Sequence, residues 1–268
     1  MKHLALRSKS MRNGDRPFTA PGLGDRVHSV LLGHLYSLLH DDKVTIHLTA
    51  DKNDKPRKQQ SWPEIISLFP DTVTYKDHDV QDLPENEWLA YLKENGYDAE
   101  TYYYKDTVDM HPNDPPTSIP LPLDVSELLL KDYPLLQAKE EYAVFVPSKF
   151  VTAQWDTTDP GRSIPEAEIN IIENRYKEQG YEIVRVGGEA SIPDMNDSIQ
   201  AIGYAMAKAD GHIGIDSGFL HMANLYHKPE DIHLYTTGGY VSHHFVRAKA
   251  RGVTVSYTHL RAHETSKH

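Results

Sequence analysis

Residues 181–226 read YEIVRVGGEASIPDMNDSIQAIGYAMAKADGHIGIDSGFLHMANLY, and their pattern decides the fold. Tyr181–Val186 (YEIVRV) reads as a strand, followed by Gly187 and Gly188. Ser198–Ala209 carries small and apolar residues at helical spacing, with Ser198 or Asp197 in the capping position. Gly211–Ile215 reads as another strand, DSGFLHMANLY opens another helix, and Ile232–Tyr235 is one more strand. Upstream, YAVFVP (142–147) reads as a compact apolar strand. Pro165–Gln179 reads as a helix with Ile169, Ile172 and Tyr176 on one side, stopped by Gly180. Strand–helix repeats of this length predict a mostly parallel sheet with helices on both faces.

The first half repeats the theme. In PGLGDRVHSVLLGHLYSLLHDDKVTIHLTA (21–50) a Gly-rich turn precedes an apolar stripe of Val27, Val30, Leu31, Leu35, Leu38 and Leu39. Val44, Ile46 and Leu48 then alternate with Thr45 and His47, as in a half-buried strand. SWPEIISLFPDTVTYKD predicts a short helix and a strand over Val73–Tyr75. Trp88–Asn95 predicts a helix ended by Gly96, and the tyrosines at 102–104 a further strand. Alternating helix and strand favours a layered α/β unit. Between the halves, MHPNDPPTSIPLP (110–122) carries five prolines, which disfavour helix and central strand. This stretch reads as a linker or long surface loop, with a short helix over Val125–Leu130 after it. The predicted units are 1–138 and 139–255, with 256–268 as a tail.

The 268 residues suit one large domain or two medium ones, and 39% apolar content allows an ordinary core. Lys and Arg number 28 against 39 Asp and Glu, a formal charge of -11. That balance excludes an overall basic nucleic-acid surface, so a phosphate ligand needs one concentrated positive spot. With no Cys, disulfides and thiolate zinc sites are excluded. The start, MKHLALRSKSMRNG, is basic without a following apolar run, so it does not read as a signal peptide. No run reaches 18 apolar residues, and a soluble, cytoplasmic protein is expected.

Three stretches carry candidate chemistry. Asp216, Ser217 and Gly218 fall between a strand's carboxyl end and a helix start, where open parallel sheets bind ligands. Free backbone donors there favour a phosphate, Gly218 lets it approach, Ser217 adds a hydroxyl, and His221 lies one turn on. The plainer reading is an Asp cap and a packed His. In PGLGDRVHS, Gly22 and Gly24 form a pliant loop that is neither GxGxxG nor a Walker loop. Asp25 either caps the helix or serves as a carboxylate base, with His28 three residues on along the same face. In PSKFVTAQWDTTDPGRS (147–163), Lys149 or Arg162 can neutralise a diphosphate, or both lie in a solvated loop. Gln154 and Trp155 can position a base or sugar ring, and Trp155 reads equally well as core or lid. Glu189, after Gly187 and Gly188, either accepts from a ribose hydroxyl or is an ordinary exposed Glu. His243, His244, His259, His263 and His268 have no carboxylate convincingly beside them, so no metal is expected.

GLGDRVHSVL and VRVGGEA followed by ADGHIGIDSGFLHMAN resemble the two signature regions of the bacterial heptosyltransferase-like glycosyltransferases. The resemblance implies two facing Rossmann-like domains, the GT-B fold. It also implies a nucleotide diphosphate sugar donor held by the C-terminal domain and an acceptor approaching from the N-terminal one. By position, Asp25 resembles the acceptor-activating carboxylate. Asp216, Ser217, Gly218 and His221 resemble the diphosphate turn, and Lys149 falls near a phosphate-holding position. The resemblance implies inversion by direct displacement, and the arrangement of these residues needs no obligatory cofactor or divalent metal. The acceptor is left open among glycan, lipid-linked and protein hydroxyls. A sugar-nucleotide epimerase or hydrolase, or a non-catalytic sugar-nucleotide binding protein, are the alternatives. The chain is shorter than such enzymes commonly are. SYTHLRAHET (256–265) resembles a translated sequencing adapter, so a non-native tail after about Val255 and an incomplete C-terminal closure are expected.

Overall fold

The computed structural model describes residues 1–7, 23–49, 56–80, 83, 85–103, 136–157, 161–188, 198–236 and 254–257. The Pro-rich segment, the helix expected at 125–130, Tyr104, Glu189, the tail from 258 and the five histidines named above as metal candidates lie outside them. The chain divides into two compact units, Met1–Lys139 and Glu140–His268. The candidate domain boundary and the nature of the tail remain expectations. Ser256 and Tyr257, at the head of that tail, occupy the last two positions of a strand.

The first unit contains β1 (Lys2–Arg7), α1 (Leu23–His40), β2 (Val44–Thr49), α2 (Pro56–Leu68), β3 (Val73–His78), α3 (Glu85–Glu94) and β4 (Ala99–Tyr103). Its sheet runs β3-β2-β1-β4, and every pairing is parallel. Strand parity sorts the two faces. Leu4 and Ile46 are register partners, and Ile46 packs under Gly33 of α1. His3, Ala5 and His47 face the other way, where α3 contributes Trp88 and Leu92. Both faces are covered, so β2 is buried throughout its described positions, Thr45 and His47 included, rather than half-buried as its alternation predicts.

The second unit contains β5 (Phe150–Gln154), α4 (Glu166–Glu178), β6 (Glu182–Arg185), α5 (Ile199–Lys208), β7 (His212–Gly214), α6 (Gly218–Ala223), β8 (Ile232–Thr236) and β9 (Thr254–Tyr257). Its sheet runs β6-β5-β7-β8-β9, again all parallel. The β5–α4–β6 and β6–α5–β7 crossovers run in opposite directions across the sheet. Right-handed connection therefore places α4 and α5 on opposite faces. Ile169 and Ile172 of α4 join Val151, Ala153, Trp155 and Ile213 in one core. The tight β5–β7 pairing depends on Gly214, where a Cβ would stand 2.5 Å from the Gln154 carbonyl oxygen.

The strand expected at 142–147 is not formed. Glu140–Tyr142 is a 3-10 turn, the chain beyond it is irregular with Phe145 exposed, and the strand lies at 150–154. Ser198 caps α5 as predicted, its Oγ accepting from the Ala201 N–H at 3.1 Å. Ser198→Ala should cost about 1 kcal/mol in a urea titration of the full chain. Gly180, with φ at 84°, ends α4 in the left-handed region that a side chain resists. Among the described residues, no helix is long and apolar enough to cross a membrane.

Candidate functional site

The second sheet changes direction between β5 and β7. β5 leads to β6 on one side, while β7 leads to β8 on the other. Chain leaves their neighbouring carboxyl ends toward opposite faces, opening a crevice of the kind that holds ligands in α/β sheets. Trp155, Asp156 and Thr157 follow β5, and Ile215, Asp216 and Ser217 follow β7.

Asp216 is 8% exposed. Arg162, from the connection between β5 and α4, reaches across to it: Nη1 donates to the Asp216 carbonyl oxygen at 2.9 Å. The guanidinium thereby stands beside the turn that the sequence singles out. Ser217 is extended (φ -148°, ψ 172°) and caps α6, but its hydroxyl makes no capping bond. The Ser217 Oγ is buried and has no hydrogen-bond partner among the described residues. Gly218 is the first residue of α6, and His221 lies in its last turn, partly exposed. Gly187 and Gly188 end β6 alongside. A Cβ on Gly187 would meet the Phe219 ring at 3.1 Å, and one on Gly188 the Asp156 carboxylate at 3.2 Å. The ends of β5, β6 and β7 and the start of α6 thus converge.

Positive charge at this edge comes from the Arg162 guanidinium and the turn's backbone dipoles, beside the Asp156 and Asp216 carboxylates. Burial, and then the neighbouring His227, pushes His212 down to about 3, and burial pushes His227 down to about 4. The His212 Nδ1 is 3.0 Å from the Thr152 hydroxyl.

Lys149 does not join the group. The shift of the strand to 150–154 puts Lys149 at the amino end of β5, opposite the Asp216 turn. Its ammonium donates to the Gln179 carbonyl at 2.8 Å and lies 4.2 Å from the centre of the Tyr181 ring. Trp155 is core rather than lid. It packs with Ile164, Ile169 and Tyr235, and its indole N–H donates to Glu173. Gln154 turns its amide onto the Asp156 carbonyl.

In the first unit, Asp25 is the third residue of α1, on the carboxyl side of β1. That is also where its sheet changes direction, between β1 and β4. His28 follows within the same helix and is 4% exposed, among Val27, Val30 and Leu31. Arg26, which the sequence reading passed over, is 2% exposed, and its guanidinium lies 5.6 Å from the centre of the Trp62 ring. Only its place beside Asp25 marks it in the sequence. Among the described residues, no group of three or more His, Asp and Glu is placed to hold a metal ion.

No protein-family model matches the chain, and no curated protein matches it by sequence. Solved structures do. The Escherichia coli ADP-heptose lps heptosyltransferase II is 13% identical with a TM-score of 0.56, covering 96% of this chain and 90% of that one. The glycosyl transferase family 9 protein from Veillonella parvula is 13% identical with a TM-score of 0.55, covering 96% of this chain and 86% of that one. The iron-containing dodecameric glycosyltransferase TibC from enterotoxigenic E. coli is 10% identical with a TM-score of 0.45, over 88% of this chain. The chain spans 58% of the length of TibC. At such identities the likeness is one of fold: two parallel α/β units in one chain, as in the heptosyltransferases.

Proposed function

We propose that this chain is a glycosyltransferase that moves a sugar from a nucleotide diphosphate donor to an acceptor hydroxyl. The observation that carries the reading is the Asp216–Ser217–Gly218 turn at the direction change of the second sheet, with the Arg162 guanidinium bonded to its backbone. Such a turn offers amide donors, an uncommitted hydroxyl and one fixed cation, which together suit a diphosphate. The fold likeness to an ADP-heptose heptosyltransferase makes an ADP-activated heptose the first donor to test.

In this reading Asp25 takes the proton of the acceptor hydroxyl while that oxygen attacks the anomeric carbon. The bond from that carbon to the diphosphate breaks, and the nucleoside diphosphate leaves with the electron pair. Arg162, the Ser217 hydroxyl and the turn's amides stabilise the charge that grows on it. His221, one turn along α6, orients the turn or donates to a phosphate oxygen. His28 is buried one turn behind Asp25 and is a positioning residue. The acceptor is a hydroxyl of a glycan, lipid-linked or protein substrate.

Binding linkage gives the first test. ADP-heptose, ADP and UDP are each added to the full chain, and the thermal midpoint is followed. A true donor at a hundred times its Kd adds about 2.7 kcal/mol of stability and raises the midpoint. Arg162→Ala should weaken that donor at least tenfold, through the loss of a charge-assisted contact of about 1.5–3 kcal/mol. A flat midpoint with every nucleotide would remove the proposed function.

A further inference from the structure

Three histidines cross the first sheet as a hydrogen-bonded chain. His3 on β1 places Nδ1 3.0 Å from His47 Nε2 on β2, and His47 Nδ1 lies 2.8 Å from His78 Nε2 on β3. The strand register explains the alignment. His47 is opposite Ala5, two residues beyond His3, and His78 is opposite Thr49, two beyond His47. The three rings therefore share one face and step diagonally along it. His47, in the middle, is fully buried. The Tyr97 ring lies against all three, with centroids 5.2, 4.6 and 5.9 Å away. Trp88 and Tyr91 of α3 meet His78 edge-on.

Proton counting sets what this chain can hold. Each N···N contact needs one proton between its two nitrogens. Three neutral rings carry three protons: one in each contact and one at an end. A fourth proton takes the other end, and both contacts survive. A fifth has no place except inside a contact, where two N–H groups would then face each other at 3.0 or 2.8 Å. We infer that this histidine chain is an acid-sensitive latch, which tolerates one added proton and releases the α3 side of the first sheet when it takes a second.

The surroundings work in the same direction. Lys76 of β3 bonds the Tyr97 hydroxyl and stands over its ring, and the Met1 ammonium lies close enough to His3 to act on it. Both are cations. Asp98, before β4, opposes them at His3. On α3, Glu87, Lys93 and Glu94 point to solvent, and its inward groups are Trp88, Tyr91 and Leu92. Burial, then His78, His3 and Lys76, pushes His47 down to about 4. Burial is the leading cause for His3 and His78 too, both lowered. Since the folded chain resists protons that the unfolded chain accepts near pH 6.5, stability is complete above that pH. It is lost as pH falls from there toward about 4.

Hydrogen–deuterium exchange of the full chain tests this at pH 7.0 and 4.5, corrected for intrinsic exchange. The peptides covering 2–7, 44–49 and 73–78 should exchange at least tenfold faster at pH 4.5. In His47→Gln, which has neither of the two ring-to-ring contacts for a proton to break, that acceleration should fall below threefold. If His47→Gln does not fold at pH 7.0, the double variant His3→Gln/His78→Gln replaces it with the same expectation, because the lone His47 ring adds one proton only and keeps no ring-to-ring contact for a second to enter. Acceleration of equal size in wild type and the folded variant, or none in wild type, overturns the latch. Because the readout is confined to first-unit peptides, the buried His212 and His227 of the second unit do not enter it.

Discussion

Asp25→Asn should lower sugar transfer by roughly 10²–10⁴-fold while leaving donor affinity unchanged, because the amide cannot accept the acceptor's proton. Asp25 occupies the first turn of α1, after β1, whereas the proposed donor turn belongs to β7 and α6 in the other unit. Base and donor site are thus separable. Transfer is measured as acceptor-dependent release of nucleoside diphosphate, and affinity by titration calorimetry on the same preparation. An Asn variant that turns over like wild type removes Asp25 as the base. Donor binding together with acceptor-independent release would instead point to hydrolysis.

Glu173→Ala should destabilise the chain by about 3 kcal/mol, read as a lower urea midpoint. Glu173 is only 4% exposed on α4 and holds three partners from different places. Trp155 Nε1 donates to Oε1 at 2.9 Å, Arg185 Nε donates to the same oxygen at 2.8 Å, and Lys177 lies 3.8 Å from Oε2. The carboxylate raises the Arg185 pKa, chiefly through their hydrogen bond. Removing it strands an indole N–H and takes from Arg185 its shorter carboxylate contact, the one with Glu166 being 3.4 Å. Glu173→Gln keeps an acceptor and should cost about 1–2 kcal/mol. Because Trp155 precedes Asp156 at the crevice, the Ala variant should also weaken the donor. Loss of donor affinity without loss of stability would assign Glu173 to the site rather than to the core.

Long periodic segments were legible in the sequence. The Ser198 cap and the strand–turn–helix around Asp216 stand where their spacing puts them, and the α1 stripe holds for Val27, Val30, Leu31 and Leu35 but not for Leu38, which is 54% exposed. Two failures share one physical cause. YAVFVP is continuously apolar, as a buried strand is, but does not form one, whereas FVTAQ is the strand and hides behind polar Thr152 and Gln154. Both find internal partners, Thr152 in His212 and the Gly211 carbonyl, and the Gln154 amide N–H in the Asp156 carbonyl. A strand covered on both faces announces itself by apolarity only when it carries no such partners. The error displaced Lys149 from one end of the sheet to the other. β1 was passed over because KHLALR, with basic residues at both ends, offers too short an apolar run. The histidine chain was invisible for a different reason. His3, His47 and His78 are unrelated by spacing and meet only through strand register.

The central place of β1 also sets a clock on synthesis. β1 is made before both of its neighbours in the sheet, residues 44–49 and 99–103. At roughly 5–20 residues per second, the second of these follows some 5–20 s later. Throughout that interval the strand has at least one flank of unpaired amides and carbonyls, open to pairing with another nascent chain. A ribosome that stalls before Tyr103 therefore releases a fragment whose innermost strand is an edge.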